Sequence, residues 1–264
     1  MTRHITRAPD RAALARFLRS NPGLHLYELG DLDEPFWSRC RWWAYQTDGV
    51  IDAVVLEYAA PHAPVIIAMC EDNDPAYEEL LSAILDELPD TLHAHVTQRP
   101  ASLLAERFDL STHGVHARMV ATSRRWRRVD TSEVCFLGEE ELDAIMTLYA
   151  ESYPDHYFDP RALELEQMCA GIWRGSTLAA IAGVHVWAPE QGVASLGNIT
   201  THPDWRGGGL ARRVTAKLCE RLSETVETIG LNVHIENIAA RRCYASLGFE
   251  DVAVFEEFDA TRRS

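Results

Sequence analysis

The residues best suited to chemistry are three consecutive glycines, Gly207, Gly208 and Gly209, set between Arg206 and the run Leu210, Ala211, Arg212. Glycine lacks a Cβ, so such a turn lets backbone approach a bulky ligand closely. An apolar run over residues 193–201 precedes the turn, and a helical pattern over residues 210–224 follows it. The N–H groups of the turn and of the first helical turn then point into one concavity, where the helix dipole adds partial positive charge. A diphosphate suits that concavity. Two familiar phosphate motifs are not matched. The glycine spacing fails the Rossmann pattern, because Arg212 stands where a glycine is needed, and no Lys-Ser or Lys-Thr follows as in a Walker A loop. A flexible linker before a helix is the competing reading, which the shared register of Pro203, Arg206 and the helix disfavours.

Hydrophobic periodicity supplies the elements that must hold this turn. In the second half, strands are predicted at residues 178–187, 193–201, 229–235 and 252–258, and helices at 139–149, 160–172, 210–224 and 238–247. A loop with three aromatic rings covers residues 152–160. In the first half, helices are predicted at 10–19, capped by Asp10, at 75–88, opened by Asp74, and at 100–107. Strands are predicted there at 42–46 and 51–58, flanking the turn Thr47-Asp48-Gly49, and at 65–70, 92–96 and 116–121. A composition change at residues 123–131 divides the chain into domains at 1–125 and 126–264. A length of 264 residues allows one to two domains. Both halves share one coarse order of elements, which points to tandem copies of one architecture. An unrelated α/β domain in the first half also fits the pattern.

Two segments resemble a known family. Residues 201–211 resemble motif A of the GCN5-related N-acetyltransferases (GNAT), Arg-x-x-Gly-x-Gly/Ala preceded by a proline. Residues 236–249, from Glu236-Asn237-Ile238 to Leu247-Gly248-Phe249, resemble motif B of the same family. The two occur in the right order with a strand between them, and the resemblance covers about residues 130–258. It implies an α+β (mixed α/β) fold: a mixed, mostly antiparallel twisted sheet flanked by helices, twice in tandem. It implies acetyl-CoA or another acyl-CoA as co-substrate, and no metal. Arg206 and the amides of Gly207, Gly208, Gly209, Leu210, Ala211 and Arg212 would hold the pyrophosphate. A splayed strand at Ile199, Thr200 and Thr201 would pair with the pantetheine arm. Asn237, Ala240 and Tyr244 would complete the cofactor site, with Asn237 bonding the pantetheine or positioning the thioester.

The resemblance further makes Tyr244 the acid that serves the departing thiolate, although a helical aromatic also reads as core. Many members carry a Glu on the strand before the turn, and residues 193–198 contain no carboxylate here. His185, with an ordinary pKa near 6.5, and Asn198, which could order a water, are the candidates for moving the amine proton. A satisfied strand histidine and a backbone-bonding asparagine are the alternatives. Tyr153, His156, Tyr157 and Phe158 lie where the family shapes its acceptor pocket; they equally suit a lid anchor. Residues 65–75 of the first half contain no glycine and carry carboxylates that would repel a diphosphate, so that half is expected to be a degenerate copy.

The expected activity is transfer of an acyl group from acyl-CoA to a primary amine of a small molecule. A non-catalytic acyl-CoA sensor and a protein lysine or N-terminal acetyltransferase are the alternatives. A net charge of −15 argues against nucleic acid or an anionic membrane as partner. The basic run at residues 124–128 reads as a solvated linker. Six scattered cysteines fit reduced thiols better than disulfides or zinc. The start of the chain lacks the apolar core of a signal peptide, and no apolar run reaches membrane-spanning length. A cytoplasmic bacterial monomer or homodimer is the resulting expectation.

Overall fold

A computed structural model describes every residue except 1, 35, 61–62, 71–73, 123–124, 155, 157, 165–166 and 264. The chain forms two compact units, Met1–Arg118 with Val252–Ser264, and Met119–Asp251. Each is a mixed α+β unit built on a mostly antiparallel sheet.

In the first unit, β1 (Arg3–Thr6) is followed by α1 (Arg11–Leu18) and α2 (Leu26–Gly30). The Asp10 side chain caps α1 by accepting from the N–H of Ala13. Strands β2 (Cys40–Thr47), β3 (Val50–Tyr58) and β4 (Val65–Ala68) then pair antiparallel in series, with β1 on the outer edge of β2. Asp48 and Gly49, at φ 49° and 84°, make the tight turn between β2 and β3. β5 (Thr91–Val96) lies parallel to β4, which requires a crossover, and α3 (Pro75–Ile84) provides it. Tyr77, Leu80, Leu81 and Ile84 of α3 share one buried core with Leu92, Ala94 and Val96 of β5. α4 (Gln98–Leu104) and the long β6 (Phe108–Thr122) follow.

The second unit repeats this plan. After β7 (Cys135–Phe136) and α5 (Leu142–Ser152), strands β8 (Cys169–Arg174), β9 (Thr177–Ala188) and β10 (Val193–Thr201) form an antiparallel series with β7 at its edge. α6 (Leu210–Leu222) crosses over to β11 (Thr228–His234), which lies parallel to β10. Leu210, Val214, Leu218 and Leu222 recur every four residues along α6 and are all buried. α7 (Ile238–Leu247) ends at Gly248, whose φ of 96° only glycine adopts easily. The last strand, β12 (Glu250–Arg262), completes the first unit: from Val252 on it belongs there, pairs antiparallel with β5 and lies between β5 and β6.

Three expectations need correction. The described residues of 160–172 do not form the expected helix: Pro160–Leu163 is a short 3-10 turn, and strand β8 begins at Cys169. Pairing with β9 overrides the local periodicity, and Gly171 fits there because a Cβ would meet Leu137 and Leu178 side chains at 2.7 and 2.9 Å. Strand β6 begins at Phe108 rather than near residue 116. The division at residues 125/126 assigns the chain's end to the second domain, whereas register with β5 carries it into the first unit. All six cysteines are free thiols; Cys135 is exposed, and Cys70, Cys169 and Cys219 are buried. No helix among the described residues is long and apolar enough to cross a membrane.

Deleting residues 252–264 should therefore strip the first unit of an interior strand. Hydrogen exchange on the truncated chain is expected to show lost protection throughout β5 and β6, with α6 and β10 of the second unit still protected.

Candidate functional site

Between β10 and α6 the chain makes a 3-10 turn at Pro203–Trp205 and then passes through the glycines. Gly207 and Gly209 have φ of 79° and 75°, a conformation that side-chain-bearing residues rarely adopt. A Cβ on either would meet nothing within 4 Å, so the turn faces open space. Gly209 is the N-cap of α6 and brings no side chain to its first turn, which also holds no acidic residue. The first-turn N–H donors are thus left for an external acceptor. Arg206 is engaged with backbone carbonyls beside the turn. Its Nε donates to the Thr201 carbonyl at 3.2 Å and its Nη2 to the Ser152 carbonyl at 3.4 Å.

The strand that feeds the turn leaves its neighbour. β10 and β11 pair only from Val193↔Thr228 to Leu196↔Leu231, although β10 continues to Thr201 and β11 to His234. The cause is an irregularity between Gly197 and Thr200 in the β9–β10 register. Asn198 takes a left-handed φ of 52°, which asparagine tolerates better than most residues. Gly197 makes room for the His185 ring, whose atoms would lie 2.2–2.4 Å from any Cβ there. A glycine within a strand pattern is a bulge signal, and it marks a feature that the uniform strand expected at 193–201 lacks.

Helix α5 holds the departing strand in place. The buried Tyr149 hydroxyl donates to the Asn198 carbonyl at 3.0 Å. The Thr200 hydroxyl donates to Ser152 Oγ at 3.0 Å, and Ser152 Oγ donates to the Leu148 carbonyl at 2.6 Å. His202 Nε2 lies 3.0 Å from a carboxylate oxygen of Glu151. Tyr149, Glu151 and Ser152 were not singled out from sequence, because a helix end shows no sign of which strand it will meet.

Tyr244 of α7 is buried, at 6% exposure. Burial raises its pKa above the ordinary phenol value, and Cys243 and Tyr153 raise it further. Tyr149 is pushed up in the same way, by burial first and then by Cys169 and Tyr153. Tyr153 therefore stands within electrostatic reach of both. His185 is pushed below its ordinary 6.5 by the protein atoms crowded around it, while a hydrogen bond with Asn198 partly offsets this. Its side chain is exposed, so solvent screens part of that effect. Asn237 spends its side-chain oxygen on its own helix, accepting from the N–H of Ala240 at 3.1 Å as the cap of α7.

The aromatic loop divides. The His156 ring stacks on Tyr149 at 4.5 Å, and Phe158 packs on the same ring at 5.3 Å, so both anchor the loop to the core. Tyr153 remains at the surface with 36% exposure. Tyr157 lies outside the described residues.

Two units of this topology, one with a parallel pair that parts before a glycine turn, define the GNAT class of fold. Residues 169–258, which span both motif segments, match the family model described as FR47-like protein, so this stretch is similar to that GNAT-related family. No match was found among curated proteins. Solved structures share the fold at low identity. A Drosophila protein aligns with a TM-score of 0.71 at 12% identity, covering 98% of this chain and 99% of its own. A GCN5-related N-acetyltransferase from Sphaerobacter thermophilus gives 0.60 at 14%, covering 99% and 96%. A tandem GNAT protein from the clavulanic acid biosynthesis pathway gives 0.55 at 13%, covering 100% and 99%. The tandem arrangement of the fold is thereby matched along the whole chain.

Tyr149→Phe leaves the buried Asn198 carbonyl without its donor. A loss of about 1–3 kcal/mol is expected, measured as a lower midpoint in chemical denaturation at unchanged slope.

Proposed function

We propose that the second unit is an N-acyltransferase moving an acetyl or other acyl group from acyl-CoA to a primary amine of a small molecule. The carrying observation is the gap that opens between β10 and β11 beyond Leu196 and leads to the uncapped N-terminus of α6. A molecule with a diphosphate at one end and an amide-bearing arm matches both features. In this reading the amides from Gly207 to Arg212 hold the diphosphate. The free backbone edge of Ile199, Thr200 and Thr201 pairs with the pantetheine. Arg206, engaged with Thr201 and Ser152, fixes the turn rather than touching the cofactor. Asn237, with its oxygen committed to the helix cap, has only its amide N–H groups to offer a ligand.

The amine nitrogen attacks the thioester carbon, the C–S bond breaks, and sulfur leaves as thiolate. The nitrogen loses a proton to His185, which its depressed pKa keeps neutral and receptive near pH 7. Asn198, hydrogen-bonded to that ring, orients it. Tyr244 stays a phenol because its pKa is raised. A thiol ionises near pH 8.5, so such a phenol stabilises the departing sulfur by donating a hydrogen bond more readily than by giving up its proton. The exposed Tyr153 offers a ring face to an acceptor with an apolar or cationic portion.

Thiol release from acetyl-CoA, followed against a panel of small amines, tests this reading. An active amine should accelerate release by the wild type, and Tyr244→Phe should lower kcat by about 100-fold or more. Gly207→Glu should abolish the thermal shift with acetyl-CoA, since it places charge and bulk at the diphosphate. Binding without amine-dependent release would favour the sensor, and release with basic peptides alone would favour a protein acetyltransferase. No thermal shift in the wild type would overturn the proposal.

The pH profile isolates the base. With an acceptor amine of low basicity, neutral across the range, the acid limb that remains should lie below pH 6.5, because His185 must be neutral and its pKa is depressed. His185→Gln should lower the plateau and remove that acid limb.

A further inference from the structure

The first unit carries a cluster of histidines and carboxylates that acyl transfer does not use. On β5, Leu92, Ala94 and Val96 face the core, so His93 and His95 point to the opposite face of the sheet. Register with β12 sets Asp259 against His93 and Glu257 against His95. His93 Nδ1 lies 3.0 Å from one Asp259 oxygen, and His113 Nε2 of β6 lies 2.8 Å from the other. The His93 and His113 rings are 5.4 Å apart. His116 Nε2 and His95 Nε2 each stand 3.9 Å from Glu257. Residues three apart on a strand ordinarily face opposite ways. Left-handed Gly114, at φ 96°, breaks that alternation and lets His113 reach Asp259 and His116 reach Glu257 on the same face.

We propose that His93, His113 and Asp259 form a binding site for a zinc-class divalent ion that ties β12 to β5 and β6. Donor atoms of the three lie within 4.8 Å of one another. Tetrahedral coordination at about 2.0–2.1 Å needs them about 3.3 Å apart, so small side-chain rotations close the site. Two imidazoles and a carboxylate select a borderline ion such as Zn2+ over Mg2+ or Ca2+, and water fills the fourth position. Side chains of His113 and Asp259 are 42% and 63% exposed, which gives an ion access. Behind them, His93, His95 and Glu257 also offer donors within 4.8 Å of one another. His95 Nδ1 is buried without a hydrogen-bond partner among the described residues. The ion would bridge residues 146 and 166 positions apart, so its binding energy adds to the folding of the first unit.

The test uses the full chain, stripped with a chelator and dialysed against Zn2+ or Co2+. One tightly bound ion per chain, a visible Co2+ absorption band, and a raised Tm with Zn2+ are expected. His113→Gln and Asp259→Asn should each weaken Zn2+ binding beyond the roughly 10–100-fold that an outer-sphere loss causes. His4→Gln, at an exposed histidine elsewhere in the unit, should leave it unchanged. Should Asp259→Asn fold poorly by circular dichroism, His113→Gln at its exposed position decides alone. Absence of stoichiometric Zn2+ uptake by the wild type, or uptake that survives these substitutions, would overturn the site and leave only a hydrogen-bonded row on the sheet. Neither result touches the acetyl-CoA site of the second unit.

Discussion

The candidate site depends on one backbone hydrogen bond pattern being broken. Strands β10 and β11 are parallel neighbours for four residues and then lose each other, because Asn198 turns its backbone into the left-handed region. An unpaired strand edge exposes donors and acceptors that must find partners elsewhere. Tyr149 takes the carbonyl of Asn198, and Ser152 takes the hydroxyl of Thr200. Both come from the end of α5, so that helix end keeps the gap open while leaving the rest of the edge for a ligand. The gap runs into a turn of glycines and a helix N-terminus with no side-chain cap, the feature on which the proposed diphosphate site rests. Strand edge and anion site are therefore one continuous feature.

The first unit shows what the same plan looks like without that break. Its parallel pair, β4 and β5, stays in register from Val65↔His93 to Ala68↔Val96, the whole length of β4. Among the described residues, β4 has no length beyond this pairing that an arm could pair with. The face of β5 away from the core carries histidines instead, set against the carboxylates of β12. One architecture thus supports two different surfaces: an opened sheet in one copy, and a closed sheet with a row of ligating side chains in the other.

Local features of the chain were legible because they depend on near neighbours. Asp10 and Asp74 cap their helices as expected, and Asp48-Gly49 forms its turn. The three glycines lie in a turn between strand and helix, and α6 and α7 begin where their patterns begin. The helix expected over residues 160–172 fails from Cys169 on, because pairing with β9 overrides the local periodicity there. Tyr149 and Ser152 carried no signal, because their hydroxyls matter only once α5 lies on β10. The histidine cluster was invisible for a related reason. Its members are distant in sequence, and a glycine at φ 96° decides which way two of them face.

The sequence by itself determined the chemistry of the turn, the order of elements in both halves and the two motif segments, because these rest on backbone sterics and local periodicity. Tertiary structure decided which strand ends part, which tyrosines are buried and held as phenols, and where the chain's end belongs. Residues 252–264 show the reason most simply. Their run of β-branched and aromatic residues calls for a strand in either unit, and only hydrogen-bond register with β5 selects the first.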